Sequence, residues 1–204
     1  MTVERQAPSH SFIKRAGIMR DVDTLIRLIR DNRNDEALSL LADVPALATA
    51  HSDQQGQLHG ASPLHWAAHR NAVDVCQCLI ELGADVNDSA SDWWLTPLSW
   101  GADAGSVAAV ELLLNHGADV NQDAVVGMTA LHAVAMGGSS NGDRDPQAYR
   151  RTAEILLAGG ADIDRQSNLE NRTTPLDDAI RSGNRNVAAV LLEHGARKSS
   201  ELPA

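Results

Sequence analysis

Histidine is the residue type in this chain that most invites chemistry. There are eight, and His65 and His69 stand four apart, the helical spacing that aims two imidazoles at one metal ion. The residues between them are Trp66, Ala67 and Ala68, without the glutamate that a zinc hydrolase places there. His51 and His59 lie in a hydrophilic stretch with no cysteine or third ligand close by. Cys76 and Cys78 are two residues apart; on a helix their side chains diverge by roughly 200°, so they do not bond to each other. No basic neighbour is arranged to lower either thiol pKa. There is no Gly-x-Ser-x-Gly nucleophile turn and no Gly-x-x-x-x-Gly-Lys phosphate loop. Asp143-Arg144-Asp145 is too short for a calcium loop. The expectation is a protein without catalytic residues, cofactor or metal.

The elements that carry these residues are built from small and aliphatic side chains. Of 204 residues, 43% are hydrophobic but only 3% aromatic, so the core must be made of Leu, Val, Ile and Ala, which suits thin layers of short helices. The net charge of −10 excludes a phosphate-backbone partner, whose affinity would come from Lys and Arg, and permits a basic protein surface. Lys14 and Lys198 are the lone lysines, arginine supplying the remaining positive charge; that bias points to a GC-rich, bacterial source. Met1 to Arg20 contains no apolar run, so neither a signal peptide nor a membrane span is expected. A cytoplasmic monomer is the expectation, with export as an effector left open.

Self-similarity then organises the chain. Ser62-Pro63-Leu64-His65-Trp66-Ala67-Ala68 returns as Thr96-Pro97-Leu98-Ser99-Trp100, as Thr129-Ala130-Leu131-His132-Ala133 and as Thr174-Pro175-Leu176-Asp177-Asp178. These starts are spaced 34, 33 and 45 residues apart. Each unit closes on Gly-Ala: Gly83 to Asn87, Gly117 to Asn121, Gly160 to Asp164, and Gly195-Ala196-Arg197. A hydroxyl followed by Pro starts a helix, the hydroxyl capping it and Pro sitting where its missing N–H costs nothing. Val107, Val110, Leu113 and Leu114 carry the apolar spacing of a second helix. Glycine ends it, and His116 and His194 stand just before that glycine, where the helix dipole favours a cation. The pattern resembles the ankyrin family, with its period of about 33 residues and its T-P-L-H-x-A signature.

That resemblance implies an all-α solenoid of about five helix-turn-helix units joined by short β-hairpin-like loops. The expected division is an N-terminal arm (1–18), a diverged capping repeat (19–55), repeats at 56–88 and 89–122, a repeat with an inserted segment between its helices (123–166), a C-terminal capping repeat (167–198) and a tail (199–204). The first unit, with Leu25, Ile26, Ile29, Leu38 and Leu41 but no signature, diverges as an end repeat meeting water does. The insertion falls around Gly137 to Pro146, polar and loop-like. Ser99 and Asp177 replace the signature histidine, which in the family bonds across the hairpin loops, so the central junction should be slightly looser.

The four tryptophans, Trp66, Trp93, Trp94 and Trp100, lie within one stretch. The resemblance places Trp66 and Trp100 in the slot that faces the concave groove, and Trp93 and Trp94 in the hairpin that borders it. Later units carry Ala133 and Asp178 in that slot, so the scaffold does not need an aromatic there. Tryptophan is enriched at binding hot spots. The expected function is a protein–protein interaction module that holds a partner protein or peptide on its concave face, as in a regulatory or inhibitory subunit. The expected contact set is Trp66, His69, Arg70, Trp93, Trp94, Trp100 and Asp103. A self-associating scaffold, with the tryptophans sealing a homo-oligomer, is the alternative, and a metal-dependent enzyme at His65 and His69 a remote third.

Overall fold

Repeated caps impose the architecture. The computed structural model describes residues 21–52, 60–89, 95–124, 126–137, 145–168 and 170–202. These contain ten α-helices and no strand. They form five pairs: α1 (Val22–Arg30) with α2 (Asn34–Asp43), α3 (Pro63–His69) with α4 (Val73–Glu81), α5 (Pro97–Asp103) with α6 (Val107–Asn115), α7 (Ala130–Met136) with α8 (Pro146–Ala158), and α9 (Pro175–Ser182) with α10 (Arg185–Glu193). The odd helices stack on one another, and the even helices form a parallel outer row. One continuous aliphatic core, from Leu25 through Leu64, Leu98, Leu131 and Leu176 to Leu191, runs between the rows. No described helix is long and apolar enough to cross a membrane.

Each odd helix after α1 opens on a buried hydroxyl, α1 being capped by the Asp21 carboxylate. Ser62, Thr96, Thr129 and Thr174 are the N-caps of α3, α5, α7 and α9. In α3 the backbone N–H of Ser62 donates to His65 Nδ1 at 3.2 Å, which leaves Nε2 protonated to donate to Leu95 O at 2.8 Å. Leu95 precedes the next cap, so the imidazole ties one unit to the following one. His132 repeats the device, accepting from Thr129 N at 3.2 Å and bonding to Thr173 O at 3.3 Å. Burial holds both imidazoles neutral, with pKa values lowered to about 4. Ser99 is too short for this bridge; its hydroxyl stays with Thr96 Oγ1 at 3.3 Å. Asp177 instead uses its carboxylate, which accepts from Thr174 N and Ser199 N and fastens the C-terminal turn.

A second ladder runs along the loops. Asn87 donates to Gly117 O at 3.3 Å and accepts from Asp119 N at 2.8 Å. Asn121 makes the same pair with Gly160 O at 3.0 Å and Asp162 N at 2.8 Å. These amides satisfy loop backbone groups that helices cannot. Hairpin-like pairing is present without assigned strands, as in Ser167 N to Thr173 O and Asn168 N to Val126 O.

The insertion is part helix. Its last residue by sequence, Pro146, is the first of α8, capped by Asp145. α8 has 13 residues where α4, α6 and α10 have 9. The added turn carries Tyr149, 3% exposed. Its ring lies so close to Gly105 and Gly137 that a Cβ there would come within 3.3 and 2.6 Å of it. Residues 138–144 lie outside the described residues.

Two expectations follow for stability. Asn121→Ala should cost about 1 kcal/mol in urea unfolding, because it removes two exposed hydrogen bonds, to Gly160 O and from Asp162 N, whose groups water then satisfies; an unchanged midpoint would show that the ladder adds no stability. Unfolded imidazoles take up a proton near pH 6.5, whereas His65 and His132 resist until about 4. Their contribution is therefore complete above pH 6.5 and is lost as pH falls toward 4, by about 3 kcal/mol for each. Unfolding profiles of wild type and His65→Gln/His132→Gln between pH 7 and 4 should converge in acid; profiles that stay parallel contradict this.

Candidate functional site

In α3 and α5 the part-exposed tryptophan stands at the same distance from the cap. In α3, Leu64, His65, Ala67 and Ala68 are fully buried, so the residue four after Ser62 is the one turned out. Counting four from each cap gives Trp66, Trp100, Ala133 and Asp178; counting seven gives His69, Asp103, Met136 and Arg181. The first unit joins the register through its left-handed residue. Asn32 (φ 58) matches Asn71 (φ 54) and Gly105 (φ 65), which aligns Arg27 with the tryptophans and Arg30 with His69.

Trp66 and Trp100 meet edge to face, with ring centroids 5.1 Å apart at 83°. Each ring remains part-exposed. His69 sits edge-on to both, at 6.1 and 6.2 Å, and His65 approaches Trp100 at 5.3 Å from the buried side. The guanidinium of Arg30 lies over Trp66, 4.6 Å from the ring centroid. Such a cation–π contact is worth about 0.5–1 kcal/mol at an exposed site. Arg70 is exposed beside the pair and donates from Nε to Asn32 Oδ1 at 3.2 Å. Asp103, exposed, is the last residue of α5, three after Trp100. Of the sequence-predicted contact residues, the structure brings Trp66, His69 and Trp100 into ring contact, and leaves Arg70 and Asp103 exposed at the ends of α3 and α5. Trp93 and Trp94 lie outside the described residues.

Arg27 and Arg30 were absent from the sequence-derived set. Their unit lacks the signature, so nothing in the sequence aligned them with the groove; the left-handed Asn32 turn does. Asp178, the matching residue of the last unit, is 1% exposed and pairs with Arg181 at 2.6 Å, burial pushing its carboxyl above the usual range against that arginine.

The other groups with chemical potential are committed to structure. His65 spends both ring nitrogens on the inter-unit bridge, so His65 and His69 cannot both face one ion. Among the described residues no three His, Cys, Asp or Glu side chains converge as metal ligands. Cys76 is buried, and that burial pushes its thiol up to about 12; the part-buried Cys78 is raised for the same reason. Neither supplies a thiolate at neutral pH. His116 and His194 are C-caps of α6 and α10.

Edge-to-face aromatic pairs contribute about 0.5–1.5 kcal/mol beyond the area they bury. A double-mutant cycle on Trp66→Ala and Trp100→Ala should therefore show a coupling energy near 1 kcal/mol in unfolding, with helical circular dichroism retained. Strict additivity would show that the rings stand independently.

Comparison with curated proteins gives no match to this chain. A family model described as ankyrin repeats, in three copies, matches residues 25–124 and 102–201, which takes in every helix pair described above. With its capped inner helices, left-handed turns and loop ladder in that frame, the chain belongs to the ankyrin-repeat family.

Proposed function

We propose that this protein is a binding module that seats a partner protein or peptide on its concave face. Trp66 and Trp100 are the anchors, with His69, Arg70 and Asp103 around them; Trp93 and Trp94, outside the described residues, complete the proposed contact set. Repeats of this family generally mediate protein–protein interaction. The observation that carries the reading to this surface is the part-exposed indole pair, in a slot that α7 fills with Ala133. Large, rigid aromatic rings on a concave surface are what binding hot spots are made of. A regulatory or inhibitory subunit is the specific form this module takes, acting as a monomer and without catalysis of its own.

One observation favours self-association as the second reading. Ile180 is 50% and Leu192 58% exposed. Their counterparts in the α5–α6 pair are Ala102, buried in the core, and Leu114, part-buried and packed against it. The last pair thus leaves an apolar end face that a further helix pair would cover.

Affinity capture from native lysate, comparing wild type with Trp66→Ala/Trp100→Ala, tests the first reading. Partners held by the wild type should be lost from the folded double mutant, since losing a hot-spot tryptophan costs about 2 kcal/mol or more. Identical partners on both would make the rings scaffold. A monomeric mass in solution, unchanged by Leu192→Asp, removes the second reading.

A further inference from the structure

Resting on the concave-face reading, we propose that the segment seated on the indole pair is acidic: a stretch of the partner polypeptide that carries carboxylates beside an apolar or aromatic side chain. The chain as a whole is acidic, at −10, which by itself suggests a basic partner. The charge beside the indoles has the opposite sign. Arg27, Arg30 and Arg70 are all exposed and sit at the α1–α3 end of the inner-helix face.

None of the three closes an ion pair among the described residues. Arg33, Arg150, Arg165, Arg181 and Arg197, by contrast, each hold a carboxylate. The three are nevertheless positioned. Arg30 lies flat over Trp66 at 4.6 Å, an arrangement that occupies the guanidinium face and leaves its N–H edge available. Arg70 is pinned through Nε to Asn32 Oδ1 at 3.2 Å, and Arg27 through Nη2 to Thr24 Oγ1 at 3.3 Å. A held planar fork loses less freedom when it binds a carboxylate, which it matches two bonds at a time.

The charges also give the site a direction. Arg27 and Arg30 belong to α1, on one side of the indoles, and Asp103 ends α5, in the unit on the other. The acidic part of the segment therefore lies toward α1 and its apolar side chain over Trp66 and Trp100. A polypeptide segment fits better than a nucleic acid, because a net charge of −10 opposes a long polyanion beyond the reach of three arginines.

The test is to pan a displayed library of random short peptides against the whole chain and measure the enriched sequences by fluorescence anisotropy. Enriched peptides should carry Asp or Glu next to a large apolar or aromatic residue. Their affinity should fall about tenfold or more in Arg27→Glu/Arg30→Glu, and fall with rising salt. Panning the charge-reversed variant should select peptides with Lys or Arg in place of the acids. Arg27→Gln/Arg30→Gln serves as a second, milder variant, with circular dichroism checking the fold of both. Neutral or basic peptides that depend on Trp66 would overturn the acidic occupant and leave concave-face binding standing. Peptides indifferent to both Trp66→Ala and the arginine variants, or no enrichment, would overturn both. A dimer of the chain alone that the charge reversal dissociates would put a second copy on this face, and the proposal would fall.

Discussion

The hydrogen bond from the Ser62 and Thr129 caps to the imidazole three residues later, and from that imidazole to the next loop, is the contact on which the remaining geometry rests. It closes the helix start inside one unit and fixes the distance to the following one. Because His65 and His132 are buried completely, the bridge works in a low dielectric, where an unmade bond is costly. In α3 it also sets which residue points out: with His65 locked inward and Ala67 and Ala68 packed, Trp66 has only the groove to face.

Where the imidazole is missing, the helix start is closed differently. Ser99 cannot span to the next loop and keeps its hydroxyl on Thr96 Oγ1, while at the other end of α5 the Tyr149 ring, from the extra turn of α8, lies against Gly105 and Gly137. Only residues without a Cβ leave room for that ring. At the last unit, the Asp177 carboxylate captures Ser199 N at 2.8 Å. Burial raises its pKa, but hydrogen bonds from Ser199 and Thr174 outweigh this and hold it below the ordinary value. Histidine, serine and aspartate thus each close a helix start, and the histidines also tie it to the loop before the following cap.

The groove inherits its chemistry from this frame. Rigid inner helices present two indoles at contact distance, flanked by a stacked arginine on one side and an aspartate on the other. Little reorganisation is needed to use such a surface, since the rings already support each other and Arg30 is already stacked. The polarity along the face comes from the order of units: Arg27 and Arg30 in the first, Trp66 and Trp100 in the middle, Ala133 and a buried Asp178 toward the end.

By itself the sequence determined the family, the all-α stack and the outward slot of Trp66 and Trp100, because caps, terminating glycines and spacing are local signals repeated four times. It also separated structural from reactive histidines, since a histidine recurring in the cap motif is part of the scaffold. Three things were left to the tertiary structure. The alignment of Arg27 and Arg30 with the indoles depends on a left-handed turn at Asn32 that no motif marks. The extension of α8 depends on where Tyr149 finds a cavity, which is a property of Gly105 in another unit. The local reversal of charge depends on which arginines find carboxylates and which do not, and pairing across units is set by three-dimensional distance, which composition does not contain.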